Sequence, residues 1–575
     1  MRTSLDLRAY WALFCIKVAL VTDPAAGSGN FLTESYLSLR RLENRVILEE
    51  TGGQISLGLV HNPIRISISQ FHGIEINDFA VTVARTALWI AESQMMKETE
   101  DIVHMPLDFL PLKTAANIVE GNALRLNWED VVDKSRLSYI MGNPPFVGYS
   151  LQSKSQKDDI LSIYVDEKGK PYKSAGKIDY VSGWYFKAAQ LMQDTAIRTA
   201  FVSTNSITQG EQVAGVWKPL YERFGIHIDF AYRTFRWDSE ASSKAHVHCV
   251  IVGFSAIDNR QSRRLYTSEA VFEVNNINAY LIDAPNVFIE SRKEQLCPIP
   301  DMVYGNKPTD GGFLFLSPEE RDEVLKREPE IAPYIKKIYG ATEYINNKDR
   351  YCLWLVGASP TIIRKSNFIS DRVERVRAFR LSSTKDATKR SADTPTLFQE
   401  VRHPETEYII VPRHSSESRR YIPFGFVTPD IIVNDAVQII PAAKLYHFGV
   451  LESNVHMSWT RAVCGRIKSD YRYSKDIVYN NFPWPSPTDA QRAKIEQTAQ
   501  GILDARALYP DASLADLYDE RSMPAELRKA HQQNDLAVMA AYGIKKGDPA
   551  YGSESACVAL LMKLYQALTE PQERT

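Results

Sequence analysis

Along residues 1–255, short apolar runs alternate with longer stretches whose apolar positions recur at helical spacing. The runs at 19–22, 70–75, 137–141, 199–203, 226–232 and 248–254 have strand length and predict strands. Residues 79–97, 183–193 and 216–223 predict helices between them. Such alternation builds a mostly parallel sheet covered by helices on both faces, a doubly wound α/β domain. From residue 256 to 309 the pattern breaks into shorter, irregular pieces. Residues 310–485 read as a mixed α+β domain interrupted by Pro and Gly, with 409–411 and 430–433 as its clearest strands. Thr488-Asp489-Ala490-Gln491 carries the residues of a capping box and opens a helix to about Tyr509. Ser513 caps another helix from Leu514, and 525–542 and 554–568 complete a C-terminal helical segment, 486–575, behind a Pro-rich hinge at 483–487.

Composition narrows the picture. A chain of 575 residues, 44% hydrophobic and 24% charged, holds about three or four domains with sizeable cores and is neither disordered nor fibrous. The 68 Lys and Arg nearly balance 70 Asp and Glu, which excludes a protein that coats nucleic acid by overall charge. A nucleic-acid surface must then be a local patch. Arg372, Arg375, Arg377, Arg380, Lys385, Lys389 and Arg390 form one basic run, and Arg413, Arg419 and Arg420 another. Such runs are commonly solvated helix faces, and Asp371, Glu374 and Asp386 partly neutralise the first; on a balanced chain they are still the expected phosphate-binding surface. Six cysteines lie scattered without a close pair, which suggests no metal site and a reducing, cytoplasmic home. The apolar stretch 11–21 falls short of the about 20 residues that cross a bilayer, so no membrane partner is expected.

Candidate chemistry begins at Asp23-Pro24-Ala25-Ala26-Gly27-Ser28-Gly29-Asn30-Phe31, between a predicted strand and a helical stretch. Glycines in such a turn let a ligand approach the backbone, and the helix N-terminus offers free N–H groups. The turn lacks the third glycine of a dinucleotide fingerprint and the Lys of a phosphate loop. Its leading acid suits a ligand with a cationic amino-acid tail. Glu75 ends the second strand, where a carboxylate either holds both hydroxyls of a ribose or stands solvated. Asn122, in Glu120-Gly121-Asn122-Ala123-Leu124, either reads an adenine edge or serves its own turn. The strongest signal is Gly142-Asn143-Pro144-Pro145-Phe146 at the end of an apolar strand. Two prolines fix two φ angles and remove two N–H donors, so the carbonyls of Asn143 and Pro144 point in set directions. With the Asn143 side-chain oxygen they can grip both hydrogens of an exocyclic amine, while Phe146 offers a face for stacking a base.

In this order, these motifs resemble those of S-adenosylmethionine-dependent DNA adenine-N6 methyltransferases of the gamma arrangement. Further stretches are similar to type IIL, MmeI-like restriction-modification enzymes: Val202 through Gln212, Trp237-Asp238-Ser239-Glu240-Ala241, Ser391-Ala392-Asp393-Thr394-Pro395, Pro412 through Glu417, Lys468 through Ser474, and Tyr479-Asn480-Asn481-Phe482-Pro483-Trp484-Pro485. The resemblance implies a Rossmann-like methyltransferase sheet, a target-recognition domain and the helical segment. It assigns Asp23, Ala25, Gly27 and Gly29, with Pro24 and Asn30 in the same turn, to the methionine end of S-adenosylmethionine. It assigns Glu75 to the ribose, Asn122 with Ala123 to the adenine side, and Asp179 to a further cofactor-side motif. Asn143, Pro144, Pro145 and Phe146 become the catalytic loop.

The implied reaction moves a methyl group to N6 of an adenine flipped out of duplex DNA, with positioning rather than a strong base carrying catalysis. The family's fused enzymes carry a nuclease ahead of the cofactor turn, but only 22 residues precede Asp23 here. The expectation is a modification enzyme that does not cut, with a separately encoded nuclease left open as a partner. Either Tyr10, Trp11 or Phe14 supplies the aromatic that the gamma arrangement expects before the first strand, or the cofactor pocket is incomplete. Two alternatives stay open: methylation of an RNA base or a protein glutamine, and a catalytically impaired DNA-binding specificity component.

Overall fold

The computed structural model describes residues 20–51, 63–104, 106–107, 116–238, 246–258 and 262–570, and it divides into two units, Met1–Phe288 and Ile289–Thr575. In the first unit β1 (Leu20–Asp23), β2 (Phe71–Glu75), β3 (Asn117–Glu120), β4 (Leu137–Gly142), β5 (Arg198–Thr204), β6 (His227–Asp238), β7 (His246–Ser255), β8 (Arg263–Tyr266) and β9 (Val271–Val274) make one sheet. Their order is β3-β2-β1-β4-β5-β7-β6-β8-β9. β1 to β5 run parallel, and β7 is antiparallel to both β5 and β6. Every residue of β1 is buried, as befits a central parallel strand covered on both faces. The strand order turns around between β1 and β4, so their carboxyl ends flank the crevice where such sheets bind ligands.

Helices α1 (Asn30–Thr51), α2 (Asp78–Val103), α3 (Lys154–Ile163), α4 (Ser182–Leu191) and α5 (Gly210–Phe224) connect these strands. Asn77 starts α2 by accepting the Ala80 N–H at 3.0 Å. α5 begins at Gly210, six residues ahead of the predicted start, and carries Pro219 inside it. Proline cannot bond the carbonyl four residues back; here that carbonyl, of Gly215, accepts from Ser174 Oγ at 3.3 Å instead. Two strands from the expected connector, β8 and β9, join the sheet, so its pairing runs past residue 255. Both are four residues long, and β9 is largely exposed, which leaves little apolar periodicity to read. Ala19, Cys15, the aromatics Tyr10, Trp11 and Phe14, and Ser239-Glu240-Ala241 lie outside the described residues.

The second unit holds small sheets and helices. Val303–Tyr304, Val437–Pro441, Tyr408–Pro412 and Gly425–Val427 lie side by side in an antiparallel sheet. Ile432–Val433, within the predicted 430–433, instead pairs in parallel with Ile335–Tyr339. The C-terminal helices Asp489–Ala507, Ala525–Ala541 and Glu554–Thr569 fall where expected, the first with the Thr488 capping box in place. The Pro-rich stretch is no hinge: Pro483, Trp484 and Pro485 are buried, and Tyr542 and Tyr446 donate to the carbonyls of Pro483 and Pro485. Among the described residues no helix is long and apolar enough to cross a membrane.

Candidate functional site

The carboxyl ends of β1, β2 and β4 bring three sequence signals together. Asp23 is buried; its Oδ1 accepts the Ala25 N–H at 2.9 Å, while Oδ2 has no hydrogen-bond partner. Burial pushes this carboxyl up to about 7, helped by the nearby Glu75 charge and opposed by the Ala25 bond. A buried oxygen left bare is costly and suits a donor or cation arriving from outside. Gly27 has φ +55, and a β-carbon there would meet nothing within 4 Å, so the turn is open on that side. Its N–H donates to Glu75 Oε2 at 2.8 Å, and the Asn77 N–H donates to Oε1 at 3.0 Å. The Glu75 carboxylate is thus fixed by the turns after β1 and β2. Trp184 Nε1 of α4 donates to the Pro24 carbonyl at 2.9 Å and pins the turn from behind. Gly29, φ +82, serves packing instead, since a β-carbon would come within 2.9 Å of the Ala84 β-carbon on α2. Asn30 stands exposed at the start of α1.

β4 reaches the same place because Gly142 has no side chain: a β-carbon there would lie 2.4 Å from Asp23 Oδ1. Asn143 follows at once. Asn143 and Pro145 are exposed, Pro144 is buried and Phe146 half-buried. Among the described residues the Asn143 side chain makes no hydrogen bond. The chain beyond is stitched down: Tyr180 N–H donates to the Val147 carbonyl at 2.9 Å and Gln152 Nε2 to the Ile178 carbonyl at 2.9 Å. Asp179 belongs to this stitching rather than to the glycine turn. Its buried carboxylate accepts the Tyr149 N–H at 3.0 Å and the Ser206 hydroxyl at 2.5 Å, and its own N–H donates to Gln212 Oε1 at 3.0 Å. Both of its oxygens are thus bonded within the protein, one of them to the chain just after Asn-Pro-Pro-Phe.

Asn122 is likewise bonded within the protein. Its Oδ1 accepts the Leu124 N–H at 2.9 Å and its Nδ2 donates to Asp159 Oδ2 at 3.0 Å, so both ends of the amide serve the protein. Asp159 further accepts from Tyr180 at 3.0 Å and Arg125 at 2.7 Å. Neighbouring Ala123 is buried and accepts from Trp128 Nε1 at 2.8 Å. The turn is nonetheless beside Glu75, whose carbonyl accepts the Gly121 N–H at 2.8 Å. Ile76 and Phe79, unmarked by any motif, are 68% and 74% exposed directly after Glu75 and offer an apolar face there. Nothing in the local sequence says that these two side chains stay uncovered.

Three adjoining family models match this chain: the MmeI DNA-methyltransferase domain at residues 13–267, the MmeI target recognition domain at 283–486 and the MmeI C-terminal domain at 487–572. The solved structure of type IIL restriction-modification enzyme MmeI in complex with DNA superposes with a TM-score of 0.86 at 42% identity, over 98% of this chain and 74% of that one. The chain belongs to the MmeI family. A relative called DNA methyltransferase A, from Bacillus subtilis (strain 168), is 41% identical over 554 residues, 95% of this chain. This chain spans 61% of that relative's length.

Several MmeI-like stretches turn out to hold the second unit together. Asn480 Nδ2 donates to the Arg292 carbonyl at 2.7 Å, and Asn481 Nδ2 to the Glu290 carbonyl at 3.0 Å. The stretch Ser391 through Thr394 supplies carbonyls to Arg380.

That last contact corrects the expected phosphate-binding surface. Arg380 is fully buried, and its five N–H donors go to the carbonyls of Thr309, Ser391, Thr394, Pro308 and Leu397 at 2.7 to 3.0 Å. Arg372 donates to the Phe313 and Phe315 carbonyls and pairs with Glu320. Arg413 donates to the Asp435 carbonyl at 2.9 Å and lies over Tyr304. The helix Asn367–Leu381 turns Arg372 and Arg380 inward, and Arg413, just after the strand Tyr408–Pro412, is held by the Asp435 carbonyl, which a run of basic letters does not reveal. Arg419 lines a cleft of about 480 Å³ with Arg420 and Arg461. Arg375, Arg377, Lys389 and Arg390 are exposed; Arg375 pairs with Asp371 at 3.0 Å.

Arg380→Met is expected to lower the unfolding free energy by about 3 kcal/mol or more, because buried carbonyls lose their donors. Arg377→Met should stay within about 0.5 kcal/mol. Urea titration of the two variants side by side measures the difference, and equal stabilities would refute the structural role.

Proposed function

We propose that the chain is a DNA methyltransferase that binds S-adenosylmethionine at the glycine turn and methylates N6 of adenine in duplex DNA. The observation that carries this is the approach of β4 to β1: Gly142 passes against the buried Asp23 carboxyl, so Asn143 emerges beside a half-bare carboxyl on the neighbouring strand end. The unpartnered Asp23 oxygen fits the cofactor's ammonium group. Gly27 leaves room for its tail, Glu75 keeps acceptor capacity for ribose hydroxyls, and Ile76 offers an apolar face to a ring. When bound, the cofactor supplies an electrophilic methyl group. Asn143 Oδ1 and the Pro144 carbonyl then accept the two hydrogens of the adenine amine and favour positive charge on its nitrogen. The prolines hold these acceptors still, and Phe146 stacks the flipped base. Arg375, Arg377, Lys389, Arg390, Arg419 and Arg420 are the remaining candidates for phosphate contact, with specificity read within 310–485.

The test is incubation of the purified chain with mixed-sequence DNA and labelled cofactor, followed by mapping of N6-methyladenine. Label concentrated at one short sequence is expected; label on RNA or protein alone, or none, would overturn the reading. Asp179→Ala is expected to lower kcat about tenfold while cofactor affinity holds, since a loosened loop misplaces the acceptors. An equal loss of cofactor affinity would return Asp179 to the cofactor site.

A further inference from the structure

We propose that Leu151 is a wedge that enters the DNA stack when the target base leaves it. The inference rests on the methyltransferase reading and adds to it a residue outside every motif. Leu151 is 80% exposed, more than any other large hydrophobic side chain noted among the described residues, and Tyr149, two residues earlier, is 43% exposed. Exposed apolar groups at the end of a slack loop would mean little, but this segment is fixed. Leu151 N–H closes a turn onto the Gly148 carbonyl at 2.8 Å, and Tyr149 N–H is held by Asp179 at 3.0 Å. Gln152 is buried and bonded to Ile178 at 2.9 Å. A leucine held out in water on a pinned turn stays available to a partner that buries it. It also follows the Asn-Pro-Pro-Phe loop after only four residues, so it stands on the segment that meets the flipped base.

A flipped base leaves a gap of one base thickness, and the base returns unless something fills it. Leucine is among the side chains that proteins insert between base steps, being apolar and unable to compete for hydrogen bonds. In this role Leu151 touches neither the cofactor nor the reacting nitrogen. It shifts the equilibrium between the stacked and flipped states, and Asn143 and Phe146 hold what it releases.

The test uses the full chain and duplexes carrying the mapped site, with the target adenine either paired or placed opposite an abasic position. Leu151→Ala should lower the single-turnover rate on the paired target roughly tenfold or more and change it little on the unpaired one, where flipping costs less. The 2-aminopurine signal at the target should fall in parallel, and Leu151→Met should restore most of it. Equal losses on both duplexes would make Leu151 a support for the loop and overturn the wedge. An unchanged rate on the paired target would also overturn it. Wild-type transfer is the control: its absence on both duplexes would sink the methyltransferase reading and the wedge with it, whereas failure of the variant prediction alone leaves that reading standing.

Discussion

Asn143→Ala is expected to slow methyl transfer by about 100-fold or more, the effect typical of losing one preorganised acceptor at a site of developing charge. Stability should stay within about 0.5 kcal/mol, because the side chain is exposed and bonded to no described residue. Cofactor binding should hold, since the glycine turn is built from Asp23, Gly27 and Glu75 without it. Base flipping should also survive, reported by 2-aminopurine fluorescence at the target. Single-turnover kinetics with saturating cofactor isolates the step. A rate near wild type would take the Asn-Pro-Pro-Phe loop out of the chemistry and favour a specificity component that retains the fold.

Asp23 should make cofactor affinity depend on pH. In the free protein burial raises its carboxyl to about 7, so the neutral form prevails below that value. An ammonium group at the bare oxygen favours the carboxylate, and binding below pH 7 must therefore expel a proton. Affinity is expected to fall towards tenfold per unit as pH drops below about 7 and to level off above it. Titration calorimetry at pH 6 and pH 8, in buffers of different ionisation enthalpy, reads both the affinity and the released proton. Asp23→Asn should weaken binding at pH 8 and flatten the profile. The same shift acts on folding: a carboxyl raised in the folded state stabilises it fully below its unfolded value, 3.8, and that contribution disappears as pH rises through 7. The cofactor-free wild type should thus lose more stability between pH 6 and pH 8 than Asp23→Asn does. A pH-independent affinity would mean that the cofactor's charge lies elsewhere.

How far the candidate site was legible varies residue by residue. The places of the glycine turn, Glu75 and Asn-Pro-Pro-Phe were readable because each occupies a strand end, where a few adjacent residues set the backbone course. Asn122 and Asp179 were singled out by motif, but the bonds that hold them were not readable. Their partners, Asp159 for one and Ser206 and Tyr149 for the other, come from segments 27 to 37 residues away. Amides and carboxylates look alike in sequence whether they face a ligand or a loop, and only the identity of the nearest donor separates the two.

Taken alone, the sequence determined the periodic elements of the first unit, the capped C-terminal helices and the order of motifs, since these depend on local spacing and on side chains within one turn. Only the tertiary structure decided three other matters. It turned Arg372, Arg380 and Arg413 inward, where guanidinium groups bind carbonyls more than 10 residues distant, and left Arg375 and Arg377 outside. It buried Pro483 to Pro485, which composition reads as a hinge, beneath tyrosines from two other segments. And it set Gly142 against Asp23, which lies 119 positions earlier in the chain, through the parallel pairing of β4 with β1. Each of these is a contact between distant segments, settled by which faces the packed elements present to one another, and no local pattern of residues encodes that choice.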